Sequence, residues 1–456
     1  MLFNSYLFIF AFLPAALVLY YGLNHFGQYT AAKAGLIAFS LLFYGYQNPG
    51  YAGILFSSIV VNYGLHIILL KENRAGFRKT CLVFGILFHF SLLGYFKYLG
   101  FFTENVNRLF QSSFAVPSII LPLGISFYTF QQVSFVIDSY YKKMTRYSFV
   151  DYALFVSFFP QLIAGPIVLH SEMLPQFGDL EKKKIHYENI ADGIRYFSMG
   201  LAKKVLIADS LGRIVDAGYQ DIWALDRWGA VSVMLAYTLQ IYFDFSGYCD
   251  MASGLGKFFN LDLPMNFNSP YKALNIGEFW KRWHMTLTRF FTAYLYIPLG
   301  GNRKGKIRTY LNIMIVFTIS GFWHGADWSF VLWGMLHGAA QVFHRAVQGK
   351  RQLPKWLGFL FTFGFVNLTW VFFRADSIGQ ALSLFGRMLR GGNGEFPFMR
   401  LAGFLLLMAM VLLSKNTHEY VENKELTWKA AAADIILFVA AVFSLSQVST
   451  FLYFNF

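Results

Sequence analysis

The chain contains 456 residues, of which 56% are hydrophobic and 14% are charged, and its formal net charge is +14. Soluble proteins carry about 25% charged residues, so this composition excludes a soluble enzyme. Apolar runs of about 20 residues, the length that crosses the core of a bilayer, recur along the chain. The sequence therefore predicts an all-α polytopic membrane protein. Its basic residues are expected on cytoplasmic loops facing anionic lipid, so we expect membrane lipid and no nucleic acid as a partner.

The apolar runs occur along the whole sequence. Some must be half-length or re-entrant, so ten to twelve true crossings are expected. There is no internal repeat and no shift in composition, which predicts a single membrane domain over residues 1–456. The candidate spans are 5–23, 32–48, 52–70, 80–98, 117–140, 150–168, 193–211, 228–251, 309–323, 328–347, 356–373, 398–414 and 431–449.

Basic clusters and helix breakers indicate how the spans are arranged. Basic clusters within 71–79 and 142–146 follow the third and fifth runs, which places the N-terminus outside the cytoplasm. Pro160, Gly165 and Pro166 interrupt the run 150–168, which makes it a candidate re-entrant segment. The topology beyond residue 150 is left open by these signals.

The segment 252–308 is too polar for one span and too aromatic for a solvated loop. From Ile276 onward, apolar and aromatic side chains recur at helical spacing. Glu278 and Arg282 are four residues apart, so they are predicted to form an ion pair on one helix face. We predict an amphipathic helix that is interfacial or re-entrant at the cytoplasmic face.

Charged residues also lie inside apolar runs. Asp244 and Asp250 are predicted to need polar partners there. Lys203 and Lys204 interrupt another run, and two interpretations are open: their side chains snorkel to the interface, or they line a funnel near donor phosphates.

Three histidines mark the candidate site. A helix from Tyr310 carries His324 about 20 Å from that end, and His337 lies about 15 Å into the next helix. His284 lies in the amphipathic segment. Ionisable side chains at such depth indicate function, although a neutral histidine that joins two helices by hydrogen bonds is the alternative.

Two chemistries are possible for these imidazoles. Spacings of 40 and 13 residues, with only Asp327 nearby as a carboxylate, do not match common zinc patterns, so no metal is predicted. A neutral imidazole can instead take a proton from a hydroxyl that attacks an acyl carbon. A second imidazole or an indole N–H can stabilise the developing oxyanion.

Four segments around these histidines resemble the membrane-bound O-acyltransferase family. The similarity extends over nearly the whole chain and is strongest to the bacterial branch that acetylates alginate, cellulose or peptidoglycan, next to the D-alanylation transferase of teichoic acids. The segments are Asp244–Ala252 (DFSGYCDMA), Met265–Tyr271 (MNFNSPY), Phe279–Leu287 (FWKRWHMTL) and Gly321–Gly325 (GFWHG).

The resemblance implies roles for individual residues. His324 matches the family's catalytic histidine, His284 its second histidine on the cytoplasmic side, and His337 a histidine of less defined role. The implied fold is a ring of roughly eleven tilted helices around a central funnel and tunnel. Lys281, Arg282 and Trp283 are candidates for binding the coenzyme A part of an acetyl-CoA donor, and no permanently bound cofactor is expected.

The C-terminal segment 451–456, with the sequence FLYFNF, has two open interpretations. Aromatic residues after a last span commonly anchor it at the interface. The segment also resembles a family tail in which a tyrosine accepts the acyl group, and this makes Tyr453 a candidate covalent relay.

These observations predict an acetyltransferase of the bacterial inner membrane that moves acetyl from cytosolic acetyl-CoA to an extracytoplasmic polysaccharide. The resemblance implies an extracytoplasmic partner similar to the SGNH hydrolases. One alternative is D-alanyl transfer from a carrier protein to teichoic acid. Another is a polysaccharide or lipid transporter, although transporters often contain internal repeats, which this chain lacks.

Overall fold

A computed structural model describes residues 1–347, 353–392, 394–422, 427–445 and 451–452, and all regular secondary structure within them is helical. The first ten α-helices are α1 (Leu13–His25), α2 (Tyr29–Gly45), α3 (Pro49–Lys71), α4 (Ala75–Leu93), α5 (Leu99–Phe110), α6 (Ile125–Tyr140), α7 (Phe149–Ser157), α8 (Phe159–Leu162), α9 (His170–Gly178) and α10 (Tyr187–Ala202). The others are α11 (Asp209–Gln220), α12 (Arg227–Phe258), α13 (Ile276–Arg282), α14 (Met285–Phe291), α15 (Lys306–His324), α16 (Trp328–Val347), α17 (Lys355–Arg374), α18 (Ile378–Arg390), α19 (Phe398–Leu413), α20 (Thr417–Glu422) and α21 (Trp428–Phe443).

Short turns of other helix types join several of these helices. The 3₁₀ turns are Glu181–Lys183, Ile222–Ala224 and Pro270–Lys272, and the π-helical turns are Phe8–Phe12, Gly94–Tyr98, Lys203–Ala208 and Thr292–Tyr296. A π turn widens a helix by one residue and is often found at functional sites.

Four helical segments of the described chain are long and apolar enough to cross a bilayer: Phe8–His25, Pro49–Lys71, Ala75–Phe110 and Lys355–Arg374. The helix Phe398–Leu413 is apolar but shorter. The prediction of ten to twelve crossings therefore stays a prediction. The predicted number is reached only if shorter or more polar helices also cross the bilayer, where such helices can tilt or be buried inside the protein.

Several predicted spans agree with the observed helices, and others are interrupted. The predicted spans 328–347 and 356–373 match α16 and α17 to within one residue. The span predicted at 117–140 is helical only from Ile125, because Gly124 adopts a left-handed conformation with φ of 73°. The run 150–168 is divided between α7 and α8 around Phe158, as its proline and glycine residues predicted.

The described residues form two compact units. The first contains 1–197, 249–264 and Leu445, and the second contains 198–248, the described part of 265–444, Phe451 and Leu452. The prediction of one membrane domain stays a prediction.

The first unit buries polar side chains that bond one another. The His89 Nε2 and Asn62 Oδ1 atoms lie 3.0 Å apart, and the His66 Nδ1 and Ser139 Oγ atoms lie 2.8 Å apart. Since polar groups inside a helix bundle need such partners, these two histidines act as links between helices.

In the second unit, glycines allow α15 and α16 to pack backbone against backbone. A Cβ atom at Gly321 would overlap the Phe330 carbonyl oxygen, and one at Gly334 would overlap the Phe317 carbonyl oxygen. Small residues at such a crossing permit close approach. The crossing lies one turn from His324 on α15 and one turn from His337 on α16, so it fixes the spacing of the two histidines.

Candidate functional site

His324 is the last residue of α15. The chain leaves the helix at Gly325, whose φ of −155° and ψ of 147° are extended. The imidazole is 3% exposed. Its ring centroid lies 4.9 Å from Trp323, 5.4 Å from Trp333 and 5.2 Å from Phe373, so aromatic rings from α15, α16 and α17 enclose it.

His284 occupies the break between α13 and α14. Its backbone is left-handed, with φ of 44° and ψ of 53°, a conformation that costs energy for a residue with a side chain. Its Nδ1 lies 3.1 Å from the side-chain oxygen of Asn266, which also accepts hydrogen bonds from the Thr286 N–H and hydroxyl. The amide nitrogen of Met285 donates to the Asn266 carbonyl, so Asn266 fixes both the turn and the ring.

The fold brings His284 and His324 together although they are 40 residues apart in the sequence. Their ring centroids are 6.4 Å apart with an interplanar angle of 53°, and His284 is fully buried. The ring centroid of Phe245, on α12, lies 4.8 Å from that of His284 and closes this side of the site. Two imidazoles in an enclosure of this kind can act as a proton acceptor and a hydrogen-bond donor to one reacting group, since water competes little there.

His337 is fully buried, and both of its ring nitrogens are bonded. The Trp280 indole N–H donates to Nδ1 at 3.2 Å, and Nε2 lies 2.9 Å from the Thr369 hydroxyl, which donates to the Val366 carbonyl. An indole can only donate and the Thr369 proton is used, so Nε2 carries the proton and Nδ1 accepts. This geometry supports the alternative in which His337 links helices, and it leaves no ring nitrogen to receive a substrate proton.

We expect His337→Phe to lower stability and to spare the chemistry. The substitution leaves the buried Trp280 N–H without an acceptor, which costs about 1–3 kcal/mol. The thermal unfolding midpoint in detergent should fall, while acyl transfer per folded molecule is retained. A His337→Gln variant that unfolds at the normal temperature but has no activity would instead assign the imidazole a chemical role.

The three side chains predicted to bind the donor have different surroundings. Trp283 is buried, with its ring 4.9 Å from Trp370 and 5.7 Å from Phe279. Arg282 forms the predicted ion pair with Glu278 at 2.9 Å, and Lys281 is exposed. Lys281 is the more exposed of the two cations, since the Arg282 side chain is 31% exposed and paired, and the coenzyme A role of all three stays a prediction.

Two of the charged residues inside apolar runs, Lys204 and Asp244, pair with each other. Lys204 Nζ lies 2.7 Å from an Asp244 oxygen and 2.9 Å from Asp209, so Lys204 neither snorkels nor lines an open funnel. Lys203 Nζ lies 2.8 Å from the Thr417 hydroxyl. The predicted need of Asp244 for a partner is confirmed. Tyr453, the candidate relay, lies outside the described residues.

Sequence reasoning missed two polar partners. Asn266 stands in the quoted segment Met265–Tyr271, so the motif could have suggested it as the residue that holds His284. Thr369 lies inside an apolar span and gives no comparable signal. Asp327, the carboxylate nearest to His324 in sequence, accepts from the Ser329 N–H at 2.7 Å and so caps the start of α16. The described residues contain no cluster of three metal-ligating side chains, and the expectation of a metal-free site stays a prediction.

The chain is similar to several known proteins. Residues 79–378 match the family model "MBOAT, membrane-bound O-acyltransferase family". A peptidoglycan O-acetyltransferase of Helicobacter pylori is 42% identical over 100% of this chain and 98% of its own length. A probable alginate O-acetylase AlgI of Azotobacter vinelandii is 37% identical over 91% of this chain and 83% of its own. A teichoic acid D-alanyltransferase of Streptococcus thermophilus is 25% identical over 56% of this chain and 69% of its own.

The matched region contains His284, His324, His337 and all of the helices that enclose them. The match covers more than half of the chain, and two relatives exceed 30% identity over nine tenths of it or more. The protein is therefore a membrane-bound acyltransferase, and the chain belongs to the membrane-bound O-acyltransferase family.

Proposed function

We propose that the protein transfers acetyl groups from cytosolic acetyl-CoA to hydroxyls of an extracytoplasmic polysaccharide. The observation that carries the proposal is the approach of the His284 and His324 rings to 6.4 Å inside a buried aromatic enclosure. Peptidoglycan is the first acceptor to test and alginate the second, because the H. pylori relative is more similar over more of the chain than the A. vinelandii relative.

In the proposed reaction, His324 accepts the proton of the attacking hydroxyl as its oxygen bonds to the acetyl carbonyl carbon. The surrounding indole N–H groups stabilise the oxyanion of the tetrahedral intermediate. The neutral His284 ring gives its Nδ1 proton to Asn266, so it stabilises the oxyanion only when Nε2 is protonated as well and the ring is cationic. The carbon–sulfur bond of the thioester then breaks, and the proton held by His324 passes to the coenzyme A sulfur. The products are an acetyl ester and free coenzyme A, so atoms and charge balance.

The attacking hydroxyl in this proposal is the phenol of Tyr453. An acetyl-tyrosine ester would carry the acyl group between the donor side and an extracytoplasmic partner resembling the SGNH hydrolases, which would complete transfer to the polysaccharide. The proposal includes the predicted ring of roughly eleven helices in the inner membrane, with Lys281, Arg282 and Trp283 on the donor side. No resident cofactor or metal is required.

Two alternative functions differ in their support. D-alanyl transfer from a carrier protein keeps the same imidazole chemistry, but the D-alanyltransferase relative is less similar and matches only 56% of the chain. Transport of a polysaccharide or lipid loses its support, because the relatives are named as acyl-transferring enzymes.

Donor specificity tests this proposal. Purified protein in detergent or nanodiscs is incubated either with radiolabelled acetyl-CoA or with a carrier protein loaded with radiolabelled D-alanine, and label on the chain is measured. We expect label from acetyl-CoA only, with release of free thiol in equal amount. Label from the carrier but not from acetyl-CoA would replace acetyl by D-alanyl as the transferred group.

A further inference from the structure

The described end of the C-terminal segment lies against a buried ion cluster in the second unit. Leu452 donates its backbone N–H to Asp244 Oδ2 at 3.0 Å, while Asp244 Oδ1 binds Lys204. The Phe451 ring lies 4.5 Å from Lys204 Nζ and meets the Tyr248 ring edge to face at 4.8 Å. Phe451 is 1% exposed, as buried as Lys204 itself.

The groups of the ion cluster complement those of this segment. Lys204 faces two carboxyl groups, Asp244 and Asp209, so the group has more acceptor oxygens than the one ammonium contacts, and a backbone N–H can bind another of them. A buried ion pair is stable only when its remaining lone pairs and protons are bonded. The Leu452 N–H donates to the second oxygen of Asp244, and the face of the Phe451 ring covers the Lys204 ammonium. The segment and the ion cluster therefore stabilise each other.

The surrounding backbone brings the cluster together. Lys204 lies in the π-helical turn Lys203–Ala208, which departs from regular α geometry. On α12, a Cβ atom at Gly247 would lie 2.9 Å from the Gly200 carbonyl oxygen, so only glycine permits this approach of α12 to α10. Asp244 and Tyr248 are four residues apart on α12 and so share the face that meets the segment.

We propose that Lys204, Asp244 and Tyr248 form a docking site for residues 451–452, and that acyl transfer through Tyr453 depends on this docking. Tyr453 directly follows Leu452 in the chain, so a bond that holds the Leu452 peptide restricts where the phenol can reach. The second half of this proposal rests on the proposed function, whereas the docking itself does not. Asp244 and Lys204 are positioning residues here, since they act on the reaction through the tail.

The docking is tested by the reactivity of a single thiol. Leu452→Cys is placed in a chain where Cys81 and Cys249 are replaced by Ala, and its rate of maleimide labelling is measured in detergent. The backbone N–H of residue 452 is unchanged by this substitution. Adding Asp244→Ala should accelerate labelling about tenfold or more, as expected for loss of a charge-assisted hydrogen bond. Asp244→Asn, which keeps one neutral acceptor, should give a smaller increase.

Two further variants make the test independent of folding. Asp216→Ala makes the same change in a carboxylate of α11 that pairs with Arg374, and labelling should stay at the starting rate. Phe451→Ala removes the ring without touching the ion pair, and labelling should accelerate as in Asp244→Ala. An unchanged rate in both Asp244→Ala and Phe451→Ala overturns the docking site.

The functional half has a separate readout. Acetyl label on the chain and the KM for acetyl-CoA are compared between wild type and Asp244→Asn. We expect less label at saturating donor with an unchanged KM, because the donor site is intact and only presentation of the phenol is impaired. Faster thiol labelling without loss of acetyl label would keep the docking site and overturn its role in transfer. A wild type that takes no acetyl label at all would refute the proposed function, while the thiol result would still decide the docking.

Discussion

His324→Ala is expected to lower acetyl transfer by about 10²–10⁴-fold, the range over which a positioned general base contributes. The imidazole is 3% exposed and ends α15, so its removal leaves the attacking hydroxyl without the base proposed to accept its proton. Release of coenzyme A thiol from acetyl-CoA and acetyl label on the chain should fall together. His324→Gln keeps a polar side chain of similar reach but cannot accept and return a proton, so it should be equally inactive.

His337→Gln is the matched control for this substitution. It removes an equally buried imidazole from the adjoining helix, where Trp280 and Thr369 hold the ring on both sides. We expect it to unfold at a lower temperature while still transferring acetyl. If His324→Ala remains active and His337→Gln is inactive although folded, the assignment of the two histidines is reversed.

The helices around the site could be predicted from sequence because their apolar pattern is local. The ends of α16 and α17 were predicted to within one residue, since both are bounded by polar or helix-breaking residues. The region 117–140 was predicted less well, because hydropathy does not reveal that Gly124 turns the chain before α6 begins. The number of crossings is equally hard to predict, because helices buried in protein need not be apolar on all sides.

The sequence predicted which histidines form the candidate site, but not which side chains contact each of them. Depth along a helix and the family motifs indicated His284, His324 and His337, and all three lie in the second unit. The sequence could not show which partners hold each ring, because these contacts join distant segments. Asn266 reaches His284 from 18 residues away, and Thr369 reaches His337 from 32. The contact of Asp244 with Leu452 spans 208 residues and has no signature in the local sequence.

Tyr453→Phe is expected to abolish covalent acetyl label on the chain and acetyl transfer to polysaccharide. The substitution removes one oxygen atom and keeps the aromatic ring, so anchoring of the tail at an interface should be unaffected. Phenylalanine has no hydroxyl oxygen, so it cannot form the ester that would carry the acyl group. The measurement is mass spectrometry of C-terminal peptides after incubation with acetyl-CoA, which locates the added acetyl on a single residue.

Tyr248→Phe is the control, because its ring contacts Phe451 and it is a tyrosine of the proposed docking site. It keeps the edge-to-face ring contact and loses only a hydroxyl, so acetyl should still be found on Tyr453. The two interpretations of the tail give opposite results here. If Tyr453 only anchors the chain, Tyr453→Phe transfers acetyl normally, because phenylalanine is at least as apolar. Acetyl that persists in Tyr453→Phe and disappears in Tyr248→Phe would make Tyr248 the acceptor, since that hydroxyl would then be the one that meets the thioester.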